Sequence, residues 1–126
     1  MATIERFEDL DIWKEAVTMG VKIYLLTESG KMARDFGARD QLRRAAISIS
    51  NNIAEGFEYN NNKIFIRFLM YAKGSAGELR SQLCVLNEAK MINEADFHSI
   101  RERLVMLSRS IEGFRKYLRT FENMKP

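Results

Sequence analysis

The sequence predicts an all-α protein, an antiparallel up-and-down four-helix bundle formed by one domain over residues 1–126. Three observations carry that expectation. One proline and seven glycines in 126 residues are too few breaks for a sandwich or barrel, which turns roughly every eight to twelve residues. Apolar side chains recur at three- and four-residue steps through four long segments. A hydrophobic content of 46% against 29% charged residues suits a single compact domain whose core needs no disulfide staples.

The first helix is expected over residues 7–29, where Leu10, Trp13, Val17, Gly20, Tyr24 and Thr27 form a stripe widened by Ala16 and Ile23. Glu8, Asp9 and Asp11 fall in its first turn, where the helix dipole favours acidic groups. Ser29-Gly30 breaks the pattern, and Lys31 to Asp35 reads as a polar connection. The second helix, residues 36–57, carries Leu42, Ala46, Ile49, Ile53 and Phe57, and Asn60-Asn61-Asn62 closes it with the residue type that tolerates turns.

The third helix, residues 63–90, presents Phe65, Phe68, Leu69, Ala72, Ala76, Leu79, Leu83 and Leu86 on one side. Gly74 and Gly77 each cost about 1 kcal/mol against alanine inside a helix, which predicts close approach of another backbone there. Asn93 is placed to cap the fourth helix, residues 94–121, with Glu94 and Asp96 in the turn that follows. Phe97, Ile100, Leu104, Leu107, Ile111, Phe114, Leu118 and Phe121 alternate steps of three and four, the spacing of a packed seam. Residues 122–126 are expected to fray.

Several functional classes are poorly served by this inventory. A single cysteine, Cys84, forms no internal disulfide or multi-cysteine metal cage, and on its helix it lies about 100° from the Leu79 and Leu83 line, as a half-buried thiol would. The single histidine, His98, has Ala95 three residues before it, so the Glu-x-x-His pairs of a di-metal bundle are missing. His98 and Glu102 are one turn apart, the spacing of a solvated surface pair. Neither GxxxxGK[ST] nor GxGxxG occurs. No catalytic residues, metal or cofactor are expected, and the protein is read as non-enzymatic. The amino-terminal MATIERFEDLDIW carries acids where a secretion signal carries a basic patch and an apolar run, and no stretch approaches roughly 18 apolar residues. A cytoplasmic protein with no membrane partner is expected.

Charge is unevenly spread. Residues 1–30 hold three basic and six acidic side chains, leaving 17 basic and 11 acidic in the remainder. Arg101, Arg109, Arg115, Lys116 and Arg119 all lie off the apolar seam of the last helix, and the final three cluster near its carboxyl end. Cations there also complement the helix dipole, worth about 0.3–1 kcal/mol each. Without an aromatic platform on the same face, such a patch would meet RNA or DNA through phosphates, with little sequence preference.

A second constellation lies on helix two. At about 100° per residue, Gln41, Arg44, Ser48, Asn52 and Glu55 form a polar line beside the stripe of Leu42, Ile49 and Ile53. Short Ser and Asn residues, where a solvated face more often carries Lys and Glu, suggest a buried or interfacial network. Ser75, Glu78 and Gln82 on helix three face it, with Glu78 the natural carboxylate for Arg44 and Glu55 the alternative. Ile47 and Ala54 point away from the core stripe, as residues of a second packing surface would.

The run QLRRAAISISNNIAEG, preceded by FEDLDIWKEA and followed by FIRFLMYAKGSAGEL, resembles the four-helix-bundle family encoded within intervening sequences of bacterial 23S ribosomal RNA genes, also labelled S23 ribosomal protein. The resemblance covers nearly the whole chain. Its motif positions fall here on Trp13, Gln41, Leu42, Arg43, Arg44, Ala45, Ala46, Ser48, Asn52, Ala54, Glu55, Gly56, Phe68, Leu69, Ala72, Gly74, Ser75, Glu78 and Leu79. It implies a homo-oligomeric ring, commonly of five subunits. A related branch includes the accessory protein of diversity-generating retroelements, which implies nucleic acid and a reverse transcriptase as partners. Two positions depart from the pattern: Ser50 stands where proline is frequent, and Tyr59 where a basic residue is frequent. The expected function is a ring that offers a basic surface to RNA or DNA; the alternative is an adaptor for a protein partner such as a reverse transcriptase.

Overall fold

The computed structural model describes residues 3–124. A single 3-10 turn, Phe7–Asp9, precedes five helices: α1 (Asp11–Leu26), α2 (Gly30–Arg34), α3 (Phe36–Glu58), α4 (Asn62–Glu88) and α5 (Glu94–Asn123). The four long helices form the bundle, with α1 packed on α3 and α5, α3 on α4, and α4 on α5. Successive helices run antiparallel: Arg44, early in α3, meets Glu78, late in α4, while Gly56, late in α3, lies against Phe68, early in α4.

Local chemistry sets the helix starts. The Asp35 side chain accepts a hydrogen bond from the Ala38 amide, Asn61 from Ile64, and Asn93 from both Ala95 and Asp96, so each cap satisfies amides that the helix leaves without partners. Asn60 ends the α3 segment in the left-handed region at φ 52°, which asparagine tolerates better than most residues. α3 runs unbroken through Ser50.

Burial agrees with the expected stripes of α3 and α4 and with that of α5 as far as Leu118, leaves Phe121 exposed, and corrects that of α1. Leu42, Ala46, Ile49 and Ile53 from α3, Phe65, Leu69, Ala72, Ala76, Leu79 and Leu83 from α4, and Phe97 to Leu118 along the α5 seam make one core. In α1 the buried set is Ile12, Ala16, Met19 and Ile23, whereas Val17 and Tyr24 face outward. Both sets have helical spacing. The inward set places Met19 and Ile23 where the outward one offers Gly20, and so fills the volume between α3 and α5. The first helix is also shorter than expected, because Leu10 is extended between the 3-10 turn and α1.

Four further details differ from the expectation. The expected connection at residues 31–35 contains α2, a one-turn helix drawn in by the buried Met32. Gly74 and Gly77 have open space beside them, and the close helix approach falls at Gly56 instead, where an added Cβ would stand 2.5 Å from Phe68 Cβ. Cys84 is exposed. α5 continues to Asn123, within the stretch expected to fray, while Lys125 and Pro126 lie outside the described residues.

Candidate functional site

The polar line of α3 meets α4 as helical geometry anticipates, but it divides into two parts. Ser48 and Ser75 share a hydroxyl hydrogen bond at 2.9 Å, and Asn52 donates its amide to the Ser48 carbonyl at 2.8 Å and hydroxyl at 3.1 Å. This part is half-buried. Farther along the seam, Arg44 donates to Gln41 at 3.0 Å and to Glu78 at 3.4 Å, with 61% of the Arg44 side chain and 47% of the Glu78 side chain exposed. The expected burial of this pair is therefore corrected within the single chain. Ala45 and Ala46 take the buried positions beside Arg44, leaving the guanidinium on the rim. A pair so exposed is worth about 0–1 kcal/mol. Glu55 is exposed and does not join the network.

Ile47 is exposed and does not stand alone. With Val17, Val21, Tyr24 and Leu25, all exposed, it lines a shallow apolar groove between α1 and α3. Ala54 is half-buried. Arg43, a motif position, ties the two helices together from inside this face: its Nε donates to the Thr27 hydroxyl at 2.9 Å and its guanidinium lies 4.4 Å from the centre of the Tyr24 ring. The Thr27 hydroxyl donates in turn to the Ile23 carbonyl at 2.7 Å.

The basic patch of α5 is redrawn by tertiary contacts. Arg101, Arg109, Lys116 and Arg119 are exposed, but Arg115 is buried and is corrected from a surface cation to a structural one. Its Nε donates to the Ile66 carbonyl at 3.3 Å, and its Nη1 bonds both carboxylate oxygens of Glu112. Arg115 lies on the side of α5 that faces α4, where a guanidinium within reach of a helix carbonyl and a carboxylate can be buried without losing its partners. Burial by itself would raise the Glu112 pKa. The hydrogen bond from Arg115 and the charges of Arg115, Lys73 and Lys116 outweigh burial and hold the carboxyl below its ordinary value.

Two cations that reading the last helix alone missed complete the patch. Lys73 and Arg80 from α4 line one groove with Arg109 and Lys116 from α5, and Val105, Ser108 and Gly113 share its lining. Each pair is seven residues apart, two helical turns, so the groove carries two cation rows about 10 Å long on antiparallel helices. That matched spacing was present in the sequence, but only the pairing of α4 with α5 makes it one surface. Glu112, the carboxylate of this groove, is engaged by Arg115 and lies 3.6 Å from Lys73. Arg103 is neutralised by Glu15 of α1 at 2.8 Å.

Among the described residues no three His, Cys, Asp or Glu side chains are grouped to hold a metal ion, and no helix is long and apolar enough to cross a membrane. Fold and surfaces together define an antiparallel four-helix-bundle protein distinguished by a basic groove, an apolar groove and a polar helix seam.

The chain belongs to the 23S rRNA-intervening sequence protein family, which residues 8–113 match. Its fold is similar to that of a protein of unknown function from the S23 ribosomal protein family of Bacteroides thetaiotaomicron VPI-5482, with a TM-score of 0.76 and 20% sequence identity over 83% of this chain and 98% of that one. No curated protein matches the chain.

Proposed function

We propose that the protein is a non-catalytic, homo-oligomeric bundle, a ring of five by family resemblance, that holds RNA or DNA by its phosphates in the groove between α4 and α5. The observation that carries this reading is the convergence of Lys73, Arg80, Arg109 and Lys116 on one groove whose carboxylate is already engaged by Arg115. Four cations on one protomer bind a polyanion weakly. Repetition around an assembly multiplies that affinity when several copies reach the same strand. The apolar groove of Val17, Val21, Tyr24, Leu25 and Ile47 supplies a contact surface for assembly.

Fluorescence anisotropy with a random duplex fragment tests the groove. Affinity is expected to fall steeply between about 50 and 200 mM salt, and Lys73→Ala, Arg109→Ala and Lys116→Ala combined should flatten the log–log slope by about two to three. Absence of binding at low salt with tens of micromolar protein, or a variant that binds like the parent, rejects nucleic acid and favours the adaptor for a protein partner such as a reverse transcriptase. Light scattering on the same samples should report several times the chain mass, with Ile47→Lys shifting it toward smaller species. A monomer removes the oligomer from the proposal.

A further inference from the structure

α5 outruns α1 at one end of the bundle. Ile12, at the start of α1, lies beside Leu107, so α5 from Ile111 to Asn123, about 20 Å of helix, has no α1 beside it. Among the described residues, the preceding segment, through Ile4 and Leu10, covers this stretch only in part and leaves a cleft of about 730 Å³. Rings line it in a continuous chain, edge-to-face at three contacts and tilted at the one between Phe114 and Tyr117. Phe57 contacts Phe65 at 5.8 Å between centroids, Phe65 contacts Phe114 at 5.6 Å, Phe114 contacts Tyr117 at 6.0 Å, and Tyr117 contacts Phe121 at 5.0 Å. Tyr117 and Phe121 remain 45% and 44% exposed, which corrects the expectation that the cationic end of α5 has no aromatic surface beside it.

We infer that this cleft receives an unpaired nucleobase of the strand whose phosphates lie against the cationic face of α5. The inference rests on the nucleic-acid reading above and extends it from backbone contact to base contact. Ring faces left open to water are stacking surfaces that any base fits. The rim supplies the polar groups that a purely apolar ligand would not need: Asn60 and Asn62 border the cleft, and their side-chain amides bond to no described residue. An amide of this kind pairs with the donor and acceptor edge of a base. Charge selects the same ligand. Lys116 and Arg119, both exposed, flank Tyr117 along α5, and exposed Lys63 follows Asn62 on α4. A base in the cleft would therefore have its phosphates among cations. A duplex keeps its bases stacked inside, so the cleft discriminates against it.

Anisotropy with labelled oligo(U), and with the oligo(A)·oligo(U) duplex of the same length, tests this at fixed salt. The parent is expected to bind the single strand at least about five-fold more tightly. Tyr117→Ala and Phe121→Ala should each weaken single-strand binding roughly ten-fold and leave duplex binding unchanged, while Tyr117→Phe, which keeps the ring, binds as the parent. Thermal melts and light scattering on each variant accompany the titrations. Equal affinity for both probes, or alanine variants that bind the single strand normally, overturns the base site while salt-dependent duplex binding leaves the groove proposal standing. Loss of all binding in the parent ends both. Alanine variants that change the oligomer mass and weaken both probes equally identify the cleft as a protein contact and overturn the inference.

Discussion

Arg115→Ala is expected to destabilise the protein by about 2–4 kcal/mol in urea melts, somewhat below the roughly 3–5 kcal/mol typical of a fully buried broken pair because Glu112 keeps some access to water. The substitution removes the donor to both Glu112 oxygens and to the Ile66 carbonyl, and it deletes a stem packed between α4 and α5. Arg115→Lys should recover little of the loss, since one ammonium cannot reproduce the planar fork that serves partners on two helices. A loss under about 0.5 kcal/mol would place the guanidinium in water and return Arg115 to the surface patch.

The same pair sets a pH dependence. The folded Glu112 carboxyl titrates below the ordinary 4.5 because its cationic partners outweigh its burial. Near its titration the unfolded chain then binds more protons than the folded one. The stability that Glu112 contributes is whole above the unfolded value and is lost as pH falls through the lower folded value. The gap in urea midpoint between the parent and Glu112→Gln should accordingly be widest above pH 4.5 and close on further acidification. A gap that widens in acid would contradict the assignment.

Gly56→Ala is expected to cost about 2 kcal/mol net, although alanine improves helix propensity by about 1 kcal/mol. The added Cβ would meet Phe68 Cβ at 2.5 Å and Phe65 Cδ1 at 3.0 Å. Phe68 Cβ is fixed to the α4 backbone and cannot swing aside as a side-chain tip can, so α3 and α4 must separate. Gly74→Ala is the internal control, because nothing lies within 4 Å of its new carbon; it should gain up to about 1 kcal/mol. The two substitutions are chemically identical, and denaturant midpoints that move in the same direction would refute the assigned contact.

Much of this architecture was legible because helix signals are local. The stripes of α3, α4 and α5 repeat at the helical period, Asn93 announces its helix, and Ser48, Asn52 and Ser75 could be placed on facing edges by angle alone. The close approach was not legible in the same way. Helix propensity pointed to Gly74 and Gly77, and only the register of the two helices moved the contact to Gly56.

The candidate site divides similarly. Arg109 and Lys116 were visible as cations off the seam, and Arg44 and Glu78 as partners. Lys73 and Arg80 became part of the groove through contact with a helix about thirty residues away in sequence, and Arg115 left the surface through that same contact. In α1 two apolar stripes of equal periodicity competed, and the choice fell to the neighbours that each could fill.

By itself, then, the sequence determined the four long helices, the Asn93 cap and the set of side chains able to form a core, since these follow from spacing and chemistry within a few turns of chain. Tertiary structure decided which α1 stripe turned inward, which cation was buried, and which aromatic rings stayed uncovered beyond the start of α1. Those outcomes depend on relative helix lengths and on distances between residues far apart in the chain, and periodicity along one helix carries no information about either.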